Sequence, residues 1–322
     1  MVSASRSAPP AFTPAVTSLL GRAGLWPLRA VWFSAPLGIG LGLATSIDRF
    51  DGAGATVAEV ALWAGWFVGL VATLVPTTVS LTAVRISAPA TIGLLVLAGV
   101  ADGWSGRQFE AMGYGAFLTV VAYLPVTGDA MINASAYGSE RRMALRPPAF
   151  SLLGPVQLAW ALVFAGLVTG PLLAANNHYV VGGLATVAGV GACWLGGRVL
   201  HQLSRRWIVF VPAGFVIHDH VLLVESILMR RATIAALGPA TSPVPETAVD
   251  LSGGAYGLAL EVSTREPVSF GRRVYRTIVN IETDRIIFTP TLPGAVLTEA
   301  RIRAIRIGSP EGSVTAHEDP DA

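Results

Sequence analysis

Two histidines flank an aspartate at His218, Asp219 and His220, within a stretch that is otherwise apolar. Alternate residues on a β-strand project from the same face, so both imidazoles are placed to bind one metal ion. The sequence defines no third ligand at a matching spacing. The pattern therefore leaves two interpretations, a metal-binding pair and the polar end of a hairpin. We favour the hairpin end and predict no metal site.

Basic residues form three groups whose guanidinium chemistry suits anionic lipids or a protein partner. The groups are Arg141, Arg142 and Arg146; Arg230 and Arg231; and Arg272, Arg273 and Arg276. The first lies in "YGSERRMALRPP" (137–148), between two long apolar runs. We interpret it as a topology anchor at lipid phosphates, with docking of the chain's own C-terminal region or of a partner as the alternative. The third lies in "FGRRVYR", which we expect to connect two strands. For both later groups we favour a solvated turn, with an anionic-lipid site as the alternative.

Other features exclude several classes of chemistry. Cys193 is the single cysteine, which excludes an internal disulfide and a cysteine-based metal cage. No nucleophile-elbow, zinc-helix, phosphate-loop or paired-carboxylate motif is present. Residues 207–322 contain ten arginines and thirteen acidic residues, a balance that disfavours nucleic acid. We predict no cofactor and no nucleic-acid partner, and we favour a protein that is not an enzyme.

The composition is that of a membrane protein. Of the 322 residues 52% are hydrophobic and 13% charged, and the mean hydropathy is +0.60, whereas a soluble domain carries about a quarter charged residues. A span needs about 20 apolar residues. The apolar runs are 30–47, 60–84 with 86–101, 111–127 and 147–197. The stretch 60–101 is too long for one helix and breaks at "VPTT" (75–78), and the run 147–197 breaks at "NNH" (176–178). The sequence therefore predicts six transmembrane helices.

Four polar residues fall inside or between these apolar runs. They are Arg85, Asn176, Asn177 and His178. Arg85 is the one charge within a predicted span, and we expect it to snorkel to the headgroups or to pair helices. A substrate or proton role is the alternative, although the predicted spans contain no carboxylate as its partner. If these residues line a cavity, they favour a transporter or channel component.

Arginine placement predicts the orientation. When the sides of six spans alternate, eight arginines fall on one face and two on the other. Short cytoplasmic loops retain positive charge, so we expect both termini in the cytoplasm and a location in the plasma membrane. The anionic inner leaflet is the expected lipid partner, and a membrane or cytosolic protein is the alternative partner.

Beyond residue 206 the pattern becomes β-like. "WIVFV" and "FVIHD" flank the turn "PAG", three further strands are predicted at 257–263, 277–282 and 285–290, and "PGAVLTEARIRAI" (293–305) reads as a closing helix. The runs "RRWIVFVPAGFVIHDHVLL" and "NASAYGSERRMALRPPAF" resemble a family of uncharacterised multi-span membrane proteins of GC-rich bacteria. The order of hairpin, strands and final helix also resembles bacterial pleckstrin-homology-like domains.

The predicted fold class is thus an α-helical integral membrane protein of six transmembrane helices, followed by a small cytosolic β-rich domain. The expected segments are a disordered stretch 1–25, a transmembrane domain 26–206, a cytosolic domain 207–307 and a disordered tail 308–322. We predict a non-catalytic membrane scaffold that binds lipid or a partner through its cytosolic domain. A transporter or channel component is the second hypothesis. An enzyme acting on a lipid or envelope precursor is the third.

Overall fold

The computed structural model describes residues 23–241, 245, 247–274 and 277–308. Its helices are α1 (Trp26–Phe33), α2 (Leu41–Ile47), α3 (Ala53–Leu74), α4 (Thr78–Asp102), α5 (Gly106–Tyr123), α6 (Pro125–Asn133), α7 (Ala149–Leu152), α8 (Pro155–Ala175), α9 (Tyr179–Ser204) and α10 (Pro293–Ile302). Within these residues, five segments are long and apolar enough to cross a membrane, and α5 with α6 makes a sixth if the bent pair is one span. The multi-pass prediction is confirmed at that level. Residues 1–22 of the predicted leading segment and 309–322 of the predicted tail lie outside the described residues.

The segment Trp26–Ile47 is one span with a local irregularity. Pro36 opens a π-helical turn, Pro36–Gly40, between α1 and α2, because proline has no N–H to donate to the preceding turn. Tyr114 of α5 occupies this irregularity. Its hydroxyl lies 2.7 Å from the carbonyl oxygen of Val31 and 2.6 Å from the hydroxyl of Ser34. The polar groups left by the irregular turn are thus bonded to a neighbouring helix.

The breaks between the next helices follow their local sequence. Thr77 caps α4, and its hydroxyl oxygen accepts the N–H of Ser80 at 3.0 Å, as "VPTT" predicts. Pro125 begins α6 directly after α5, and the two helix axes meet at 53°. The bend turns α6 toward the β-region, where it packs against the strand that follows it in the chain.

Small residues bring α8 and α9 into close contact. A Cβ atom added to Gly166 would lie 2.6 Å from the carbonyl oxygen of Gly189, and one added to Gly182 would lie 2.9 Å from the backbone nitrogen of Ala174. Glycine at these positions lets the two backbones approach closely enough for extensive van der Waals contact, which stabilises helix pairs in lipid. The two helices therefore form a tight hairpin.

In the part of the chain that the structure describes, eight strands form two four-stranded sheets. They are β1 (Arg141–Ala144), β2 (Arg206–Val211), β3 (Gly214–Asp219) and β4 (Ile227–Arg230) in the first sheet, and β5 (Ile234–Pro239), β6 (Val249–Asp250), β7 (Leu260–Val274) and β8 (Thr277–Phe288) in the second. The orders are β1-β2-β3-β4 and β5-β7-β8-β6, with only the β6–β8 pairing parallel. A buried apolar core fills the space between the sheets, and α10 adds Val296 and Ala300 to it. A β-rich region with a closing helix is confirmed.

Two details of the strand prediction are wrong. The stretches 277–282 and 285–290 are expected to be separate strands, but β8 runs through Thr283 and Asp284 with a register shift against β7. Residues 270–274 are expected to connect strands, but they are the last part of β7. A bulge lets a long strand bend without ending, which a search for breaks in alternation does not detect.

The first sheet is covered on both faces. Trp207 and Val209 of β2 belong to the apolar core of the helical bundle, whereas Ile208 and Phe210 belong to the core between the sheets. A strand buried on both faces needs apolar side chains at successive positions, which explains the uninterrupted "WIVFV". The first sheet therefore lies between the bundle and the remainder of the β-region.

Candidate functional site

The end of α9 places several charged and polar residues beyond the hydrocarbon. This helix has 26 residues and is about 39 Å long at 1.5 Å per residue, compared with about 30 Å of hydrocarbon. The guanidinium of Arg198 lies 5.0 Å from the ring centre of Trp194, and tryptophan with arginine is typical of the membrane–water interface. His201 and Arg205 follow within about two helical turns, so we infer that they lie at the level of the lipid headgroups.

Five residues meet at this end of α9, and we call them the junction cluster: His201, Arg205, His218, His220 and Arg273. The closest contact joins Arg205 to His220, with 2.6 Å between Nη2 and Nε2. A guanidinium only donates hydrogen bonds, so Nε2 accepts and His220 is neutral with its proton on Nδ1. Burial, and after it the charge of Arg205, lowers the pKa of His220. The Nδ1–H of His220 and the remaining guanidinium N–H groups are thus left as donors.

His218 lies beside this pair in a half-buried position. Its ring stacks on Trp207 with 4.6 Å between centres and meets His220 edge-on at 4.4 Å. Its Nδ1 lies 2.6 Å from the hydroxyl oxygen of Ser226. Burial first, then His220 and Arg205, lowers the pKa of His218 to about 4. His218 is therefore neutral at neutral pH and a weak base for activating Ser226.

Arg273 approaches from the second sheet. Its Nε donates to the carbonyl oxygen of Leu223 at 3.1 Å, and its backbone N–H donates to Leu222 at 2.8 Å. These contacts hold the exposed guanidinium beside His220, whose pKa its charge helps to lower. Within the described part of the chain, neither Arg205 nor Arg273 forms an ion pair. Two uncompensated positive charges therefore converge at the junction.

Asp219, the carboxylate next to the cluster among the described residues, is already neutralised. Asp219 is buried and forms an ion pair with buried Arg206, at 2.7 and 2.8 Å from Nη2 and Nε to Oδ2. Its other oxygen accepts the N–H groups of Val221 and Leu222. Arg206 also donates to the carbonyl oxygens of Arg146 and Leu251. The pair thus stabilises the β2–β3 end and contributes no net charge to the cluster.

The predicted arginines of residues 137–148 lie on or directly after β1. Arg141 and Arg142 belong to this strand, whose backbone pairs with β2. Arg142 binds Ser135 and Glu140 through its guanidinium. Arg146 donates its backbone N–H to the carbonyl oxygen of Thr289, and its buried Nε has no hydrogen-bond partner among the described residues.

The other predicted arginines are dispersed. Arg230 ends β4 and Arg231 follows it, and both are exposed near the turn between β2 and β3. Arg272 and Arg273 lie on β7, and of these Arg273 belongs to the junction cluster. Arg276 lies outside the described residues. Among the described residues, the arginines of the three predicted groups therefore lie in different parts of the fold.

The predicted polar residues of the membrane region lie at two ends of the bundle. Asn176, Asn177 and His178 are exposed in the turn between α8 and α9, where Asn177 has a positive φ of 64°. Arg85 of α4 lies near the β-region end. Its guanidinium is next to Gly128 and 5.5 Å from the ring centre of Tyr123, and Asp129 is near enough to attract it. Among the described residues Arg85 and Asp129 form no ion pair, and Asp129 lies just beyond the span predicted at 111–127.

Among the described residues, no group of three or more His, Cys, Asp or Glu side chains is placed to hold a metal ion. His218 and His220 do share a neighbourhood, as the alternation predicts. The Nε2 atom of His220, which a metal ion would need as a ligand, already accepts a hydrogen bond from Arg205. The positive charge of that guanidinium also repels a cation. The arrangement suits an anion better than a metal.

Sequence reasoning missed Arg205, His201 and Asp129. The signal for Arg205 is its position directly after a long apolar helix, where contact with lipid headgroups is expected. His201 carries a weaker signal. It lies one turn before that end, and its Nδ1 is 3.0 Å from the hydroxyl oxygen of Thr82 on α4. Nothing in the local sequence of Asp129 indicates its partners, which come from β1 and the segment before α10.

The sequence resemblance to a bacterial membrane-protein family and to pleckstrin-homology-like domains stays a prediction. Comparison of the chain with protein-family models, with curated proteins and with solved structures finds no match.

Proposed function

We propose that this chain is a non-catalytic, multi-pass protein of the plasma membrane that binds anionic lipids of the inner leaflet through its β-region. The observation that supports this best is the position of the first sheet on the end of the bundle. Because the sheet packs directly on the membrane helices, Arg205 and Arg273 lie where lipid phosphates are expected. Guanidinium groups without a carboxylate partner attract such phosphates.

Charge distribution supports the orientation in this proposal. The loop that contains Arg141, Arg142 and Arg146 and the segment that contains Arg198, Arg205 and Arg206 adjoin the same end of the bundle. Short loops rich in arginine stay in the cytoplasm. The β-region therefore faces the cytoplasm, and the leaflet beneath it is the one enriched in anionic lipids.

The architecture of the β-region is compatible with a pleckstrin-homology-like domain, because two largely antiparallel sheets enclose a core and a C-terminal helix closes it. One difference is β1, a strand supplied by the loop between α6 and α7. A domain attached by a flexible tether would not share a sheet with the membrane region. The proposal therefore relies on the position of this region and its charged groups, since fold alone does not determine function.

The two other functions have less support. A transporter needs a polar path, but a groove of about 480 Å³ beside α3, α8 and α9 is lined mainly by apolar residues. An enzyme needs an activated group, and Ser226 with His218 is the nearest arrangement. The low pKa of His218 makes it a poor general base at neutral pH.

Lipid retention tests the proposed function. The full chain is reconstituted in nanodiscs of phosphatidylcholine with a minor fraction of phosphatidylglycerol, and the lipids that stay bound on transfer to mild detergent are identified by native mass spectrometry. We expect enrichment of the anionic lipid over its bulk fraction and a loss of that enrichment at high salt, because salt screens headgroup contacts. Retention in proportion to the bulk composition would overturn the proposal.

A further inference from the structure

The junction cluster has the composition of a site for one phosphate group. We propose that Arg205, Arg273 and His220 bind a single phosphate, supplied by a lipid headgroup or by a soluble phosphate compound. The inference rests on the proposed function, because it assigns the anionic group to this site. It goes further in naming the ligand chemistry and the residues that bind it.

Donor groups converge on one region, and no acceptor there is free to neutralise them. Arg205 uses one nitrogen on His220, and Arg273 uses Nε on a carbonyl oxygen. Their remaining guanidinium N–H groups and the Nδ1–H of His220 have no acceptor among the hydrogen bonds of the described residues. A phosphate supplies oxygen acceptors that can satisfy donors from several side chains at once.

The contact between Arg205 and His220 is itself replaceable. A guanidinium bonded to a neutral imidazole gains less than one bonded to an anion, because an anion adds the attraction of an opposite charge and can accept two parallel N–H bonds. An arriving phosphate therefore takes Arg205 from Nε2 and lets His220 bind a second proton. Asp219 does not compete, because Arg206 occupies its Oδ2 and backbone N–H groups occupy its Oδ1.

Neighbouring groups reinforce this charge coupling. Four groups change the pKa of His220 through their charge: Arg205 at the end of α9, Asp219 on β3, Arg273 on β7 and His201 on α9. The ring of His218 is in edge-on contact with it. Only Asp219 opposes the positive field, and its charge is balanced by Arg206. Binding of a phosphate therefore raises the pKa of His220 toward or above its ordinary value.

The experiment compares charge-removing variants inside and outside the cluster. Arg205→Gln and Arg273→Gln each remove one donor, and Arg230→Gln removes an exposed arginine that is not in the cluster. The full-length proteins are placed in phosphatidylcholine nanodiscs, either with phosphatidic acid, with phosphatidylglycerol, or with inorganic phosphate added to phosphatidylcholine alone. Lipid retention is measured by native mass spectrometry, and the pKa of His220 by NMR.

We expect at least one anionic probe to raise the pKa of His220, and Arg205→Gln and Arg273→Gln to reduce its retention or affinity about tenfold. Arg230→Gln should change it by less than about twofold. An effect of inorganic phosphate alone identifies a soluble phosphate, and an effect of lipids alone identifies a headgroup. Arg273 is exposed, so Arg273→Gln still tests the site if Arg205→Gln does not fold.

Two outcomes separate the inference from the proposed function. If anionic lipid is enriched but the cluster variants behave like Arg230→Gln, the inference is wrong and the proposed function stands. If no anionic lipid is enriched and the pKa of His220 does not respond to any probe, both are wrong.

Discussion

Asp129 and Asn133 lie one turn apart on α6 and bind alternate residues of β1. The Oδ1 atom of Asp129 accepts the N–H of Ala144 at 2.8 Å, and that of Asn133 accepts the N–H of Arg142 at 3.0 Å. Four helical residues rise about 6 Å, and two strand residues span about 6.7 Å. The two side chains therefore match the spacing of the N–H groups on the outer edge of the strand.

This match explains how β1, a strand from the loop between two membrane helices, is fixed to α6 along its outer edge. An edge strand presents N–H groups that need acceptors, and a helix has no free backbone acceptors along its side. Asp129 also accepts the hydroxyl of Thr291, whose N–H donates to the carbonyl oxygen of Ala144. One carboxylate thus joins the bundle, the first sheet and the approach to α10.

The first prediction concerns this carboxylate. Asp129→Leu leaves the buried N–H of Ala144 without an acceptor, and we expect a loss of about 1–3 kcal/mol in the free energy of unfolding. Asp129→Asn keeps an acceptor oxygen and should lose clearly less. Thermal unfolding of both variants in the same detergent measures the difference. Equal melting temperatures for Asp129→Leu and the wild type would show that the bond contributes nothing.

The second prediction concerns the buried ion pair. Arg206→Met leaves the carboxylate of Asp219 buried without its cation, and removing one partner of such a pair costs about 3–5 kcal/mol. We expect little or no folded protein, judged by size-exclusion profile and thermal unfolding. Arg230→Met, which removes an exposed arginine, is the control variant. It should change the free energy of unfolding by less than about 0.5 kcal/mol. A normal melting temperature for Arg206→Met contradicts the prediction.

The third prediction concerns the α8–α9 hairpin. A side chain at Gly189 meets the backbone of Gly166, whereas one at Gly191 on the same helix meets nothing within 4 Å. Gly189→Val should therefore separate the helices and cost about 1–3 kcal/mol or more, and Gly191→Val should be tolerated. Thermal unfolding of the two variants in one detergent compares them, and equal destabilisation would argue against close packing at Gly189.

The fourth prediction is a pH dependence of stability. The pKa of His218 falls from 6.5 to about 4 on folding, so between these pH values the unfolded chain holds more protons than the folded one. The free energy of unfolding therefore decreases as the pH falls from about 6.5 to about 4. The lowered pKa of His220 acts in the same direction.

His218→Phe tests this dependence, because phenylalanine can keep the stack on Trp207 but does not titrate. We expect the melting temperature of the variant to fall less than that of the wild type between neutral pH and about pH 5. Ser226→Ala, which removes the hydroxyl next to His218 without removing the imidazole, should retain most of the wild-type slope. Identical slopes for His218→Phe and the wild type would show that His218 does not titrate as described.

The fifth prediction concerns orientation. Tyr137 and Asn177 are exposed at opposite ends of the bundle. Each is changed to cysteine in a chain in which Cys193→Ala removes the native thiol. An impermeant maleimide added to intact cells should label Asn177→Cys, and should label Tyr137→Cys only after permeabilisation, because the arginine-rich loops stay inside. The reverse labelling pattern would show that the β-region lies outside the cell, and binding to inner-leaflet lipids would then be wrong.

Much of the helical region could be predicted from the sequence, because hydrophobic length and proline are local signals. The break at Thr77 and the turn at Asn177 follow from side-chain types within a few residues. The β2–β3 hairpin is likewise local, with Phe210 opposite Phe215 across a Pro-Ala turn. Each of these depends on contacts close in sequence, where composition alone constrains the backbone.

The candidate site could not be predicted in the same way. The junction cluster joins the end of α9, β3 and β7, and Arg205 and Arg273 both lie near His220 because the end of β7 pairs with the segment after β3. The sequence pattern pointed to runs of arginine, yet the guanidinium of Arg142 bonds to Ser135 and Glu140. Adjacent arginines in a chain need not point to the same place, since strand neighbours face opposite sides.

The sequence by itself determined that the chain lies in a membrane, where its helices break and that a β-rich segment follows them. Hydrophobic length and turn chemistry act over a few residues and leave a readable pattern. Only the tertiary structure decided that a membrane loop completes the first sheet, that Asp129 and Asn133 bind its edge, and which arginines remain unpaired. Those outcomes depend on which surfaces meet, and contacts between residues far apart in the chain leave no periodic signal along it.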